Sequence, residues 1–139
     1  MTLSELSQVY YLHLEIARNE EKLEVLRSNA ERITSSALGL PFTKFEQSRI
    51  EKNVAEMADT QARIDGCNEK LKAEESRLLD YISAINDSRL RLIFELRFID
   101  CKPWNEVADF IGGGNTEDSV KKSCYRYIKK SCPICPERV

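Results

Sequence analysis

Ile50, Met57, Ile64, Leu71, Leu78 and Ile85 recur at every seventh position along one stretch of the chain. A repeat of seven is close to two turns of α-helix, so these side chains fall on one narrow stripe. The preceding stretch carries the same signal: Val9, Ile16, Leu23 and Ala30 form one row, and Leu12, Asn19, Leu26 and Ile33 form another. Their alternating spacing of four and three residues is that of a coiled-coil seam. In the second stretch the companion row reads Val54, Gln61, Asn68, Glu75 and Ile82, apolar only at its ends. Polar seam residues weaken such a stripe but help to fix register and partner number.

Thr2 followed by Glu5 offers a capping box, each side chain satisfying an orphan amide of the first turn. "SSALGLPF" (residues 35–42) interrupts the pattern with a Gly and a Pro, and Thr43 with Glu46 offers a second box behind it. Gly66 inside the second stretch costs about 1 kcal/mol against Ala and marks a bend or a point of close approach. The pattern therefore predicts an antiparallel helical hairpin of residues 3–34 and 44–86. At 1.5 Å per residue its arms are roughly 48 and 65 Å long. A hairpin buries one stripe per helix, so its other faces are left to water, to a second copy or to another protein. Self-association, as a dimer first of all, is the expectation; packing only on itself and docking of another protein are the alternatives.

Five glycines and four prolines in 139 residues supply too few turns for an all-β fold, whereas 32% charged residues suit long solvated helices. The fold class expected is all-α. Residues 1–86 hold 11 basic and 15 acidic side chains, a net of −4, while residues 87–139 hold 10 and 8, a net of +2. From Thr116 to Lys130 five basic residues face two acidic ones, Glu117 and Asp118, which sit where a helix N-terminus favours negative charge. Positive charge is thus confined to one element, and the overall net of −2 argues against indiscriminate nucleic-acid binding.

Three short helices fit the C-terminal part. "DSRLRLIFELRFID" places Leu90, Ile93, Phe94 and Phe98 on one face. "PWNEVADFIG" opens with Pro103 in its first turn, buries Trp104, Val107, Ala108 and Ile111, and stops at Gly112. After Gly113-Gly114-Asn115, Thr116 caps a helix whose inner face is Val120, Cys124, Tyr127 and Ile128. The opposite face holds Asp118, Lys122, Tyr125, Arg126 and Lys129, with Lys121 on the flank. A short helix, a Gly-containing turn and a helix with a basic outer face make a helix-turn-helix suited to the major groove of double-stranded DNA. A phosphate-cradling loop is the rival reading of the glycines, but no Gly-Lys-Ser/Thr follows and no strand precedes. The expected organisation is a hairpin over residues 1–86, a helix-turn-helix domain over 87–131 and a tail over 132–139.

"LRLIFELRFIDCKPWNEVADFIG…TEDSVKKSCYRYIKK" resembles region 4 of sigma-70-type factors. More closely it resembles the ArpU/RinA-like late-gene activators and their relatives in phages and prophages of Gram-positive bacteria. The resemblance covers about residues 86–130; the hairpin matches only in general character. It implies a sequence-specific transcription regulator that acts without catalysis, and it maps the promoter-reading positions onto Asp118, Lys121 and Lys122. Thr116, Ser119, Arg126, Lys129 and Lys130 would then hold phosphates, and Tyr125 could stack on a sugar or base. The hairpin would pair two copies on repeated half-sites or present a surface to RNA polymerase. Two features depart from the sigma pattern. The "GGGN" turn is a residue or two longer, and lysine stands where a bidentate arginine is usual.

A small terminase-like DNA-packaging subunit is the second function considered, although such proteins place the DNA-binding part first. A helical adaptor whose basic helix meets an acidic protein is the third. The lone His13 has no Ser, Asp or paired-carboxylate partner in sequence, so no enzyme is expected, and no cofactor. Tyr10, Tyr11 and Tyr81 are expected to cover hairpin surface. An odd count of five cysteines, with Cys67, Cys101 and Cys124 inside expected helices, is not a disulfide framework. Cys132 and Cys135 have half-zinc-site spacing, but a closed site needs four ligands, so no metal is expected. The opening residues carry no basic n-region or cleavage site and no run approaches the roughly 18 apolar residues of a membrane span; the expected location is the cytoplasm.

Overall fold

The computed structural model describes residues 1–36 and 44–131, and the side chains of all of these except 33–36. Every regular element among them is helical: α1 (Leu3–Leu6), α2 (Gln8–Ser36), α3 (Lys44–Ser83), α4 (Ser88–Phe94) running into a π-helical turn (Glu95–Ile99), α5 (Trp104–Ile111) and α6 (Glu117–Ser131). The protein is all-α. No helix among the described residues is long and apolar enough to cross a membrane. Thr43, Cys132, Cys135 and the expected tail lie outside the described residues.

The chain divides into two compact units, Leu12–Lys70 and the combination of Met1–Tyr11 with Leu71–Val139. These do not follow the expected boundary at residue 86: the N-terminal eleven residues belong with the helix-turn-helix, as does the last part of α3.

In the unit Leu12–Lys70, α2 and α3 run antiparallel. Glu15 bonds to Cys67, and further along Leu23 and Arg27 share a surface cleft with Gln61 and Ile64. Leu12, Ile16, Leu23 and Leu26 are buried, as the heptad stripe requires. The partner stripe differs from the expected one. Ile64 is buried, but beside it lie Thr60 and Cys67, whereas Val54 and Gln61 are exposed. The companion row therefore follows three residues behind Met57 and Ile64, not four. Thr60 tolerates burial because its hydroxyl donates to its own helix, to the Glu56 carbonyl at 2.7 Å. Burial and the Glu15 carboxylate together push the Cys67 thiol up, so it stays protonated.

The second unit starts with the capping box expected at Thr2. The Glu5 amide donates to Thr2 Oγ1 at 3.3 Å, and Thr2 N donates to Glu5 Oε2 at 2.7 Å. Glu5 Oε1 also accepts from Arg77 Nη2 at 2.7 Å, which fixes α1 beside α3. The Thr2 amide, then the Arg77 guanidinium and the Thr2 hydroxyl, hold the Glu5 carboxyl down to about 2 from its ordinary 4.5. A depressed carboxyl contributes stability that is present above pH 4.5 and is lost as pH falls through about 2. Denaturant midpoints of the protein and of Glu5→Gln should therefore differ at neutral pH and converge between these two values. Parallel curves across that window would remove Glu5 from the acid response.

The core of this unit joins five chain segments. Leu6 and Val9 pack with Leu78, Ile82 and Ile85, with Ile93, Phe94, Leu96 and Phe98, and with the inner residues of α5 and α6. The helix α3 ends at Ser83 rather than at residue 86. Ile85 leaves the helical register there and enters the core from a turn, ahead of the next N-cap, Asp87, whose side chain accepts from Arg89 N at 2.9 Å. A single α-helix over "DSRLRLIFELRFID" would turn Leu96 away from Phe94. The π turn, closed by Asp100 N donating to the Glu95 carbonyl at 3.0 Å, brings Leu96 inside. Cys101 follows outside any helix at φ 56, a left-handed residue that ends this turn with Lys102 N bonded to the Leu96 carbonyl at 3.0 Å.

Candidate nucleic-acid interface

The helix-turn-helix is built from α5, the segment Gly112–Thr116 and α6. Pro103 stands just ahead of α5 as its N-cap rather than within the first turn. From there Trp104, Val107 and Ala108 point into the core and Ile111 is half-buried. Gly112 closes the helix at φ 65 and ψ −153, a conformation open essentially to glycine alone. Gly113 and Gly114 also have positive φ, so the turn uses all three glycines. No atom lies within 4 Å of a β-carbon placed on Gly112, so a side chain there is opposed by backbone strain and not by crowding. Gly112→Ala should cost about 1–3 kcal/mol, read from a denaturation curve. A loss under about 0.5 kcal/mol, as for an ordinary surface change, would show that the turn relaxes.

Thr116 caps α6: Ser119 N donates to its Oγ1 at 3.2 Å. Val120, Cys124 and Ile128 are buried and Tyr127 half-buried, which reproduces the expected inner face. Phe94 receives Tyr127 edge-on with ring centroids 5.5 Å apart. Burial pushes the Cys124 thiol up to about 12, so this cysteine acts as a small apolar filler. Glu117 and Asp118 occupy the first turn and Lys129 and Lys130 the last, both arrangements favourable to the helix dipole.

Asp118, Lys122, Tyr125, Arg126, Lys129 and Lys130 are exposed on α6, and Lys121 is half-buried on its flank. Thr116 is exposed as well, while its Oγ1 serves the cap. Ser119 is half-buried and its hydroxyl is directed at Asn115 Oδ1, 3.5 Å away. Tyr125 leans towards α5, meeting Trp104 edge-on at 6.1 Å. Eight of the nine residues thus share one helix of roughly 22 Å at 1.5 Å per residue, with Thr116 as its cap and Lys122, Arg126 and Lys129 along its solvent side.

Arg89 has no counterpart in the sequence reading. Its Nη2 donates to Asn115 Oδ1 at 2.7 Å and its Nη1 to Ser123 Oγ at 3.2 Å. Asn115 in turn donates to the Gly112 carbonyl at 2.6 Å. One guanidinium therefore ties the start of α4 to the turn and to the flank of α6, holding the angle at which α6 leaves the turn. No local pattern announces these bonds, because they join residues 26 and 34 positions apart.

A rigidly mounted helix with lysine and arginine on its free side can hold phosphate oxygens and reach acceptor atoms on base edges. No protein-family model, curated protein or solved structure matches this chain.

Proposed function

We propose that the chain is a sequence-specific, double-stranded-DNA-binding regulator of transcription, of the kind phages and prophages encode, acting without catalysis. The observation that carries this reading is α6 itself. Its apolar side is spent in the core, its turn is clamped by Arg89, and its cations stand together on the solvent side. In this reading α6 enters the major groove, Lys121, Lys122 and Asp118 approach base edges, and Arg126, Lys129 and Lys130 meet backbone. The resemblance to sigma region 4 supports the same assignment and supplies RNA polymerase as a partner to test.

Dimerisation is part of the proposal, with a changed basis. The heptad stripe that motivates it is spent within one chain, partly between α2 and α3 and partly in the core beneath α4, α5 and α6. What remains for a second copy is a set of exposed apolar residues, Leu14, Val25, Phe45 and Val54.

The test is a pair of titrations, on a duplex selected from a random pool and on an unselected duplex, across a salt series. Lys122→Ala should cost about 1–3 kcal/mol on the selected duplex and less on the other. Lys129→Ala should weaken both alike and lower the salt slope by roughly one phosphate's worth. If neither substitution changes binding, α6 is not the DNA-contacting element.

A further inference from the structure

A notch opens on the unit that carries the helix-turn-helix, beside Tyr125 of α6. Tyr10, Tyr11, Phe98, Trp104 and Tyr125 wall a cavity of about 160 Å³, and Arg97 is the cation in it. The Arg97 guanidinium lies over the Trp104 ring at 4.7 Å and, among the described residues, gives one bond, from Nη1 to the Lys102 carbonyl at 3.0 Å. A guanidinium carries five N–H donors, so it retains donors for a guest. Asp100 and Glu75 also lie within electrostatic reach of neighbouring Cys101. A guest carboxylate is therefore held by directed N–H groups rather than by a broad positive field.

Size separates the possible guests. Sites for whole small-molecule ligands are roughly 300–1,000 Å³, and this one has room for about one ring. Its rim continues as apolar surface, with Tyr10 46%, Tyr11 59% and Tyr125 39% exposed. A lone small molecule would leave that rim wet. One anchor ring in a pocket, surrounded by contacts that exclude water, is the pattern of a protein–protein hot spot.

The same unit also carries a fitting knob. Phe110, on the outer side of α5, is 62% exposed, with the exposed carboxylates of Glu106 one turn before it and Asp109 beside it. Phe45 is barer still at 72% exposed, but its ring faces the Arg49 cation at 5.9 Å, which would meet Arg97 with like charge. Phe110 shares helix α5 with Trp104, six residues on and about 120° around, so it cannot reach the notch of its own chain.

We propose that Phe110 of one copy seats in the aromatic notch of a second copy, with Glu106 or Asp109 against Arg97. The contact uses different patches on the two copies, so it is heterologous and can propagate from copy to copy. It does not depend on DNA, and it is separate from any association through the hairpin.

Sedimentation from low to high micromolar concentration, without DNA, tests this. The unaltered protein should gain mass steadily above whatever floor the hairpin sets. Its single tryptophan, Trp104, should shift its emission over the same range as the notch fills. Phe110→Asp and Tyr11→Asp, both at exposed positions, should each weaken the rise by roughly thirtyfold, the equivalent of a hot-spot residue's 2 kcal/mol. An equal mixture of the two variants should associate although neither does alone, because one supplies an intact knob and the other an intact notch. That restoration would not follow from a folding defect. An unaltered protein that stays at its floor mass overturns the proposal and leaves the notch to a different protein. A variant that associates like the unaltered protein, or a mixture that stays apart, overturns it as well.

Discussion

Leu6→Ala is expected to destabilise the helix-turn-helix unit by about 2–5 kcal/mol, the usual cost of removing a buried leucine. Removing residues 1–11 is expected to abolish its cooperative unfolding altogether. Leu6 and Val9 are both 0% exposed and belong to the same cluster as Phe94, Val107 and Val120. They arrive on α1 and the start of α2, yet they close the core beneath α4, α5 and α6. A domain's whole stability is about 5–15 kcal/mol, so a single truncation at Leu6 consumes a large part of it. Loss of both residues, together with the Thr2–Glu5 cap and the Glu5–Arg77 bridge, leaves Ile82, Ile85 and Ile93 against water. Denaturant unfolding followed by Trp104 emission measures the effect. Leu3→Ala, at an exposed neighbour, should change it by no more than about 0.5 kcal/mol. Cooperative unfolding of a chain that begins at residue 87 would overturn this account and would restore the boundary at residue 86 that the composition suggests.

That prediction turns on a contact the sequence does not display, whereas the parts of the fold decided locally were legible. The Thr2–Glu5 box, the Thr116 cap, the stop at Gly112 and the inner face of α6 each depend on residues within one or two turns, and the structure has them as read. The α2 stripe was legible too, because its two rows are apolar at every position but Asn19. In α3 only one row is apolar, and a single row at sevens accepts a companion either three or four residues away. Val54 favoured the wrong choice there, whereas Ile82, four residues after Leu78, is buried as read; Thr60 conceals itself by bonding to its own backbone. The π turn was not legible because it gains nothing locally. It is selected by the burial of Leu96 beside Phe94. Nothing adjacent in sequence marks Arg89, and its role emerges only when Asn115 and Ser123 are brought to it. Within the candidate site, the cationic side of α6 was therefore readable and the clamp that mounts it was not. The notch was unreadable for the same reason, since it joins tyrosines from the first helices to Arg97 and Trp104.

Phe94→Ala is expected to cost about 3–5 kcal/mol, the range for deleting a buried phenyl group, and to release α6 as well as α4. Phe94 is 0% exposed, and three rings meet it: Phe98 at 5.4 Å, Tyr127 at 5.5 Å and Tyr81 at 6.2 Å between centroids. Such pairs contribute about 0.5–1.5 kcal/mol beyond the area they bury, so truncation removes more than its methylene count suggests. Tyr127 lies on α6 among Val120, Cys124 and Ile128, and its edge-on contact with Phe94 bears on the inner side of the helix whose outer side carries Lys122. Phe94→Leu, which keeps an apolar side chain in the site but gives up the ring pairs, should cost clearly less than Phe94→Ala and preserve the fold. The two variants, with Lys122→Ala, separate mounting from contact. Phe94→Ala should lose unfolding cooperativity and DNA binding together, Phe94→Leu should retain both, and Lys122→Ala should unfold normally and lose only selected-duplex affinity. DNA binding that survives Phe94→Ala in a chain that has lost its cooperative transition would mean that the contact needs no mounted helix. The basic segment would then be acting as a charged tail, and the helix-turn-helix reading would fall.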